Sequence, residues 1–226
     1  MTTAYKTTIT PEELRAILEL NRPAENPMEL RKREQLRLDR CFADFAAYSG
    51  ALMPSADDDG AARCVAAYAE SFDGRSPIGL WIYGRCGTGK TYLAAALCRA
   101  LIESGKSAIM CDLTQTITRM EASWEKRAEL MDELLAADLL VVDDIGTSRT
   151  TDYVAEWHDR IIGGRYNMGR PCVFTSNALP DSIGDAKQCP DGKWGRISQR
   201  ITATCIPVEL CGENRRLAQA RELFGN

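Results

Sequence analysis

The sequence has little of what metal-binding or secreted proteins require. Histidine occurs once in 226 residues, at His158, and the nine cysteines include no pair with C-x-x-C spacing. Zinc sites cluster these two residue types at short spacings, so the sequence predicts no zinc centre. An odd number of cysteines without a secretion signal is typical of free thiols in a reducing compartment.

Long apolar runs are also missing. No stretch of the chain approaches the length needed to span a bilayer. The first residues, Met1–Lys6, lack the apolar core that a secretion signal carries. We therefore expect a cytoplasmic protein without membrane contact.

The chain has no excess of positive charge, no internal repeat and no low-complexity tract. Its net charge is −4, and 45% of its residues are apolar, which is ordinary for a soluble globular protein. A protein that coats nucleic acid non-specifically would be more basic. One basic cluster remains, at Arg31–Arg33 with Arg37 and Arg40. It is either a solvated helix face or a contact for DNA or an acidic partner.

The most informative motif is a glycine-rich segment, Gly84–Thr91, which fits the phosphate-binding pattern G-x-x-x-x-G-K-[ST]. Its glycines allow backbone amides to converge on phosphate oxygens. Lys90 is predicted to reach the β- and γ-phosphates, and Thr91 to hold Mg²⁺. The predicted cofactor-binding residues are Gly84, Arg85, Cys86, Gly87, Thr88, Gly89, Lys90, Thr91 and Tyr92.

The surroundings of this motif predict an α/β fold. A buried strand, Gly79–Tyr83, precedes it and a helix, Tyr92–Ile102, follows it, as the motif requires. Apolar strands then alternate with helices, which predicts a five-stranded parallel sheet flanked by helices. Further strands are expected at Ser107–Cys111, Leu139–Asp143, Pro171–Ser176 and within Ile201–Leu210, and further helices at Ala61–Ser71, Thr114–Ala136 and Tyr153–Met168.

Polar residues follow two of these strands. Asp143 and Asp144 end the apolar run that starts at Leu139, at the edge where parallel sheets place their ligands. Asp143 is predicted to hold Mg²⁺, directly or through water, and Asp144 to orient and deprotonate an attacking water. Asn177 ends another strand, where its amide can hydrogen-bond that water and the γ-phosphate. The alternative for the acids is that they only cap a loop.

Four arginines are candidates for stabilising charge on a transferred phosphoryl group. Arg196 and Arg200 lie one helical turn apart on one face, and Arg215 and Arg216 follow near the C-terminus. Spacing alone leaves surface salt bridges as the alternative for each of them.

Taken in order, these segments resemble the AAA+ ATPases, and within them the DnaC/DnaI-type replicative helicase loaders and their IstB-type relatives. The resemblance runs from about Ala61 to the C-terminus and implies an AAA+ P-loop NTPase with a minimal lid, using ATP and Mg²⁺. It rests on Gly84–Thr91, Leu140–Gly146, Arg165–Asn167, Gly169–Pro171, Phe174–Asn177, Arg196–Ile201 and Gly212–Arg216.

The resemblance also implies residue roles. Asp143 and Asp144 fall at Walker B, and Thr91 and Asp143 are the implied metal ligands. The implied catalytic residues are Lys90, Asp144, Asn177 at sensor 1, Arg200 as an arginine finger for the neighbouring subunit, and Arg216 at sensor 2, with Arg215 as the less favoured candidate for sensor 2. A finger that acts on a neighbour implies self-association in the ATP state. Because the family often has Glu at position 144, where this chain has Asp, we expect hydrolysis to be slow, and stimulation by DNA is open.

The N-terminal region is predicted to be helical and separate. Thr10–Glu13 has the pattern of a helix start, and a second helix is expected over Pro27–Tyr48. The expected organisation is a helical partner-binding region at 1–48, a linker at 49–60 and the AAA+ domain at 61–226. The resemblance implies that the first region binds the hexameric helicase.

Three functions follow from these expectations. The first is an ATP-dependent loader that deposits a replicative helicase on single-stranded DNA, and the second is an IstB-like transposition helper that assembles on duplex DNA. The third is a nucleotide-dependent adaptor without meaningful turnover. Within the region Thr114–Arg127, Trp124 either stacks on a base beside basic neighbours or packs on its own helix.

Overall fold

The computed structural model describes residues 10, 12, 15, 26–54, 60–122, 124–146 and 151–225. The chain forms two compact units, Met1–Arg33 and Glu34–Asn226. Pro11 and Glu13 of the predicted helix start at Thr10–Glu13 lie outside the described residues. No helix within the described residues is long and apolar enough to cross a membrane.

A five-stranded parallel sheet forms the centre of the second unit, as predicted. The strands lie in the order β2-β3-β4-β1-β5, so β1 has neighbours on both sides, and β2 and β5 are the edges. The strands are β1 (Gly79–Tyr83), β2 (Ala108–Cys111), β3 (Leu139–Val142), β4 (Cys172–Ser176) and β5 (Cys205–Glu209).

Helices pack on both faces of this sheet. The helices within the described residues are α1 (Pro27–Cys41), α2 (Gly60–Ser71), α3 (Lys90–Glu103), α4 (Leu113–Ala122), α5 (Trp124–Ala136), α6 (Asp152–Asn167), α7 (Lys193–Thr204) and α8 (Arg215–Phe224). Side chains that alternate along β1 separate the two cores. Leu80 and Ile82 pack in one cluster with residues of α3, and Trp81 packs in the other with Phe174 and Ile161.

The first described helix is shorter than predicted. We expected Pro27–Tyr48, but α1 ends at Cys41. The chain then turns so that the Phe42 ring is buried, and tighter hydrogen bonds follow, from Phe45 N to Phe42 O at 3.0 Å and from Tyr48 N to Phe45 O at 2.8 Å. Helical periodicity continued through this segment in the sequence, and burial of Phe42 overrides it.

The boundary between the compact units also differs from the expected linker at 49–60. Cys41, Phe42 and Ala51 are 0%, 3% and 2% exposed and belong to one of the two cores of the sheet. Residues 34–54 are therefore part of the second unit. Burial of these three side chains ties the segment to the sheet even though its composition is typical of a connecting region.

Buried Arg165 fixes the ends of three elements. Its guanidinium donates to Leu134 O at 2.7 Å, to Ala137 O at 2.9 Å and to Pro171 O at 2.7 Å. These oxygens lie at the end of α5 and before β4, so one fully buried side chain connects α5, α6 and β4. Carbonyls at a helix C-terminus carry partial negative charge, which offsets the cost of burying the cation.

Three of the free cysteines lie in the two cores of the sheet. Cys98, Cys111 and Cys172 are all free and buried. Burial raises the pKa of Cys111 and Cys172, and a hydrogen bond with Cys41 together with burial raises the pKa of Cys98, so all three thiols are held in the neutral form at physiological pH.

Candidate functional site

A cavity of about 650 Å³ opens at the carboxyl edge of the central strands. It collects residues from the loop after β1, the ends of β3 and β4, the segment before α2 and the start of α8. Its lining residues are Phe45, Ala47, Tyr48, Cys86, Gly87, Gly89, Lys90, Thr91, Tyr92, Asp143, Asp144, Thr175, Asn177, Arg215 and Arg216.

The loop between β1 and α3 has a backbone that only glycine accommodates at its close contacts. Gly87 has φ +84°, and a Cβ there would overlap the Asn214 side chain. Gly84 has φ +147°, and a Cβ there would overlap the carbonyl of Leu210. The loop is thus held tightly against the segment before α8. Gly84, Arg85 and Thr88 support it from outside the cavity lining, with Thr88 Oγ1 donating to Arg85 O at 2.9 Å.

Lys90, the first residue of α3, is 7% exposed and closes the base of the loop. Its ammonium donates to Gly84 O at 2.9 Å, Arg85 O at 2.9 Å and Asn177 Oδ1 at 2.8 Å. All three acceptors are neutral oxygens. Burial lowers the pKa of Lys90, and the nearby acidic groups oppose that shift. A buried cation whose bonds all go to neutral oxygens is suited to an anionic ligand.

Thr91 and Asp143 bring oxygen donors together beside Lys90. Thr91 Oγ1 donates to Asp143 Oδ2 at 3.2 Å, and Thr175 Oγ1 donates to Asp143 Oδ1 at 2.6 Å. Burial raises the pKa of Asp143, while the hydrogen bonds from Thr175 and Thr91 lower it. A hydroxyl and a carboxylate at this spacing are the oxygen ligands that Mg²⁺ prefers.

Asp144 is the one non-glycine residue with a positive φ within the described ranges, at 54°. Its backbone N–H donates to Thr175 Oγ1 at 2.8 Å, and the next N–H, of Ile145, donates to Thr175 O at 3.0 Å. Asn177 Nδ2 donates to Asp144 Oδ1 at 3.4 Å. Asp tolerates this conformation better than most residues, and strained backbone concentrates at functional sites.

Helix α8 begins directly against the glycine-rich loop between β1 and α3. Asn214 caps it, accepting from Arg216 N at 3.1 Å and Leu217 N at 3.2 Å. Arg215 N donates to Gly87 O at 2.9 Å, so the helix start and the loop share a hydrogen bond. Arg215 and Arg216 both line the cavity. The sequence favoured Arg216 over Arg215, and the structure brings both together with Lys90.

Another part of the cavity lining, here called the aromatic side, was missed by sequence reasoning. Phe45, Ala47 and Tyr48 lie there together with Tyr92, the one member predicted for the site. The Tyr92 hydroxyl accepts a hydrogen bond from Leu52 N at 3.2 Å, which connects α3 to this segment. Phe45 and Tyr48 precede the glycine-rich loop by about forty residues, so no local pattern joined them to it. Thr175 was likewise not singled out, although it directly precedes Ser176-Asn177 at the strand end.

Arg200 lies outside the cavity lining of its own chain. It extends from α7 towards α6, where its Nη1 pairs with Asp159 Oδ1. Arg196 pairs with the other oxygen of Asp159 at 3.2 Å. The side chain of Trp124 lies outside the described residues, so both alternatives, stacking on a base and packing on its own helix, stay open.

The arrangement fits a nucleoside triphosphate with Mg²⁺. Lys90, Arg215 and Arg216 would face the phosphates, and Thr91 with Asp143 would hold the metal. The aromatic side would accept a base, since flat rings stack on flat rings. The cavity volume of about 650 Å³ lies within the range of small-molecule sites.

Comparisons with known proteins support nucleotide binding by this chain. The family described as IstB-like ATP binding protein matches residues 54–222. The replicative helicase loader DnaI of Bacillus subtilis (strain 168) is 29% identical over 150 residues, which is 61% of this chain and 47% of the relative. The replicative helicase loader DnaC of Escherichia coli (strain K12) is 32% identical over 116 residues, 49% of this chain and 46% of the relative. The chain thus spans about half the length of the curated relatives it matches.

Solved structures show the same fold at low sequence identity. The crystal structure of the DnaC helicase loader has a TM-score of 0.64 at 21% identity and covers 74% of this chain and 99% of that chain. The crystal structure of DnaI has a TM-score of 0.58 at 24% identity and covers 80% and 93%. The replication initiator DnaA bound to AMPPCP and single-stranded DNA has a TM-score of 0.58 at 20% identity and covers 77% and 54%.

The chain therefore has the α/β fold of these proteins, with a five-stranded parallel sheet flanked by helices, as the sequence predicted. The family match includes the glycine-rich loop, the strand-end carboxylates and the start of α8, which form the polar part of the cavity lining. Since that match covers well over half of the chain, it also identifies the family. The protein belongs to the family of IstB-like ATP binding proteins.

Proposed function

We propose that this protein is an ATPase that loads a replicative helicase on single-stranded DNA. The observation that carries the ATPase part is the convergence of Lys90, Thr91, Asp143, Asp144 and Asn177 on one cavity. Bound Mg²⁺ would neutralise charge on the phosphates. Lys90 and Arg216 stabilise the phosphate oxygens, Asp144 accepts a proton from the attacking water and Asn177 orients that water.

Arg200 acts on the nucleotide of a second copy in this proposal. Its position supports this role, because it lies on the α6–α7 side and lines no part of its own nucleotide cavity. The copies therefore assemble in the ATP state. Arg200→Ala should leave ATP binding intact and reduce hydrolysis by a factor of about 10³ or more, as removal of such arginines does elsewhere. Hydrolysis at the normal rate in this variant would refute the trans role.

The loader part is supported by the relatives. DnaI and DnaC are named replicative helicase loaders, and the DnaA structure holds single-stranded DNA. By this analogy the N-terminal region binds the hexameric helicase. The analogy spans about half of each curated relative, so helicase binding needs its own test.

The first experiment is light scattering after size-exclusion chromatography of the protein mixed with the replicative helicase of its host, with and without ATP. A stable complex is expected. Helicase that elutes alone under both conditions would contradict the loader function. An ATPase assay with and without single-stranded DNA separates a loader from an adaptor that binds ATP without meaningful turnover.

A truncation then locates the helicase-binding part. Removing residues 1–33 keeps the second compact unit whole, whereas removing residues up to 48 would also remove Phe42 from the core and Tyr48 from the cavity. The shorter truncation should bind ATP normally and lose the helicase. Retention of the helicase would place the contact elsewhere.

A transposition helper that assembles on duplex DNA is the second candidate, favoured by the family to which the chain belongs. The acidic net charge of −4 weighs against a protein that coats duplex DNA. Affinities for single-stranded and duplex DNA, measured with ATP at one salt concentration, separate the two candidates. A clear preference for duplex DNA would favour the helper.

A further inference from the structure

Three residues on one face of α6 form a seat for the guanidinium of Arg200, which we call the Arg200 cradle. They are Asp159, Gly163 and Tyr166, spaced so that they follow one another along the helix surface. Asp159 pairs with Nη1 of Arg200, and the Tyr166 ring centroid lies 6.0 Å from Cζ. Gly163 lies between them.

Gly163 is required for this seat because the guanidinium lies directly over its backbone. A Cβ at this position would come within 2.8 Å of Arg200 Nη1 and 3.0 Å of Cζ. Helix propensity alone favours alanine over glycine inside a helix. The glycine in the middle of α6 therefore makes room for one side chain of α7.

Asp159 holds Arg200 without using all of its donors. Its second oxygen binds Arg196 Nη2 at 3.2 Å, so the two cations of α7 share one carboxylate and the group keeps a net positive charge. Arg200 is about one quarter exposed, at 26% of its side chain. A guanidinium has five N–H donors in a fixed plane, so further donors remain for a second ligand while Nη1 stays on Asp159.

We propose that the Arg200 cradle is a positioning device that presents Arg200 to the nucleotide of a second copy of the chain. Arg200 keeps its bond to Asp159 while its remaining N–H groups reach the phosphate oxygens. The cradle thus orders the Arg200 side chain in advance, so less rotamer freedom is lost when the guanidinium contacts the phosphates. This inference rests on the trans role of Arg200 given under the proposed function.

The test compares three variants with wild type in an ATPase assay under assembling conditions. Asp159→Asn removes the charge that holds Arg200, and Gly163→Ala displaces the guanidinium without changing any charge. Glu156→Gln is the matched control, since Glu156 pairs with Lys193 at 3.4 Å between the same two helices and does not touch Arg200. A melting curve and an ATP titration establish that each variant is folded and binds nucleotide.

Both cradle variants should lower kcat about tenfold or more, the scale of effect that a displaced catalytic group produces, and leave the KM for ATP unchanged. Glu156→Gln should behave as wild type. If Asp159→Asn fails to fold, Gly163→Ala decides the question, because the atoms it would crowd are the free end of a flexible side chain.

A mixing experiment then asks in which chain the cradle acts. Lys90→Ala chains keep Arg200 but lack a working nucleotide site, and Arg200→Ala chains keep the site but lack the arginine. Their mixture should hydrolyse ATP. Asp159→Asn added to the Lys90→Ala chain should lower that activity about tenfold or more, and added to the Arg200→Ala chain it should have no effect. A purely structural role would make both placements equivalent.

The outcomes distinguish failure of the cradle proposal from failure of the trans role of Arg200. If Arg200→Ala abolishes hydrolysis but both cradle variants match Glu156→Gln, the cradle is refuted and the trans role stands. If the cradle variants raise kcat, Asp159 restrains Arg200 rather than presenting it, and the proposal is overturned. If Arg200→Ala hydrolyses ATP normally, the trans role fails and the cradle proposal falls with it.

Discussion

The two sides of the cavity differ in how far apart in the sequence their residues lie. The polar side comes from residues next to one another in the chain, where Lys90 and Thr91 follow the glycine-rich loop and Asp143 and Asp144 follow β3. The aromatic side comes from Phe45 and Tyr48, which belong to the segment after α1 and reach the cavity only through packing of Phe42 and Ala51 in the core. The comparison indicates that the candidate phosphate site is local in the sequence, whereas the candidate site for the base depends on the tertiary fold.

Among these changes, Lys90→Ala should have the largest effect, and it should act on the polar side. We expect Lys90→Ala to weaken ATP binding by about two orders of magnitude or more, because it removes a buried cation that faces the phosphates. The same loss should appear with inorganic tripolyphosphate, which has no base. Calorimetry with both ligands measures it, and normal binding of either one would contradict the assignment of the loop.

Thr175→Val tests how the two carboxylates of the polar side are held. The change removes the hydroxyl that donates to Asp143 and accepts from the N–H of Asp144, and it leaves the shape of the side chain nearly unchanged. We expect kcat to fall about tenfold to a hundredfold, since two buried groups lose about 1–3 kcal/mol of hydrogen bonding. Thr175→Ser, which keeps the hydroxyl, is the control and should retain most of the activity. Equal rates in the two variants would show that Thr175 does not position the carboxylates.

Tyr48→Ala should affect the aromatic side alone. We expect the Kd for ATP to rise about tenfold, because an aromatic ring stacked on a base contributes about 1–3 kcal/mol to binding. Binding of tripolyphosphate should stay unchanged, in contrast to Lys90→Ala. If tripolyphosphate binding falls as much as ATP binding, the two sides are not separable and the comparison fails.

The smallest expected effect concerns the stability of the protein without ligands, which Asp143→Asn should increase. Burial raises the pKa of Asp143 above its value in the unfolded chain, so the folded protein binds its proton more tightly. Stability from this group is therefore present at low pH and is lost as pH rises through the folded pKa. In the absence of nucleotide and Mg²⁺, Asp143→Asn should melt above wild type at pH 7, and the difference should shrink as pH falls towards 4. A difference that grows on acidification would contradict the sign of the shift.

The sequence by itself determined the fold class and the polar half of the site. Alternation of apolar strands with helices indicated a parallel sheet, and the carboxyl ends of neighbouring parallel strands meet at one edge. Asp143, Asn177 and the glycine-rich loop could therefore be placed together from their positions in the chain. These features depend on periodicity and on short-range spacing, which a single sequence displays.

Only the tertiary structure decided where α1 ends, which residues form the aromatic side and what holds Arg200. Phe42 ends the helix because its ring is buried, and this brings Phe45 and Tyr48 to the cavity. Gly163 has no role in a helix pattern until Arg200 of another helix lies over it. These features arise from contacts between residues distant in sequence, so their physical cause is packing, which no local pattern of residues encodes.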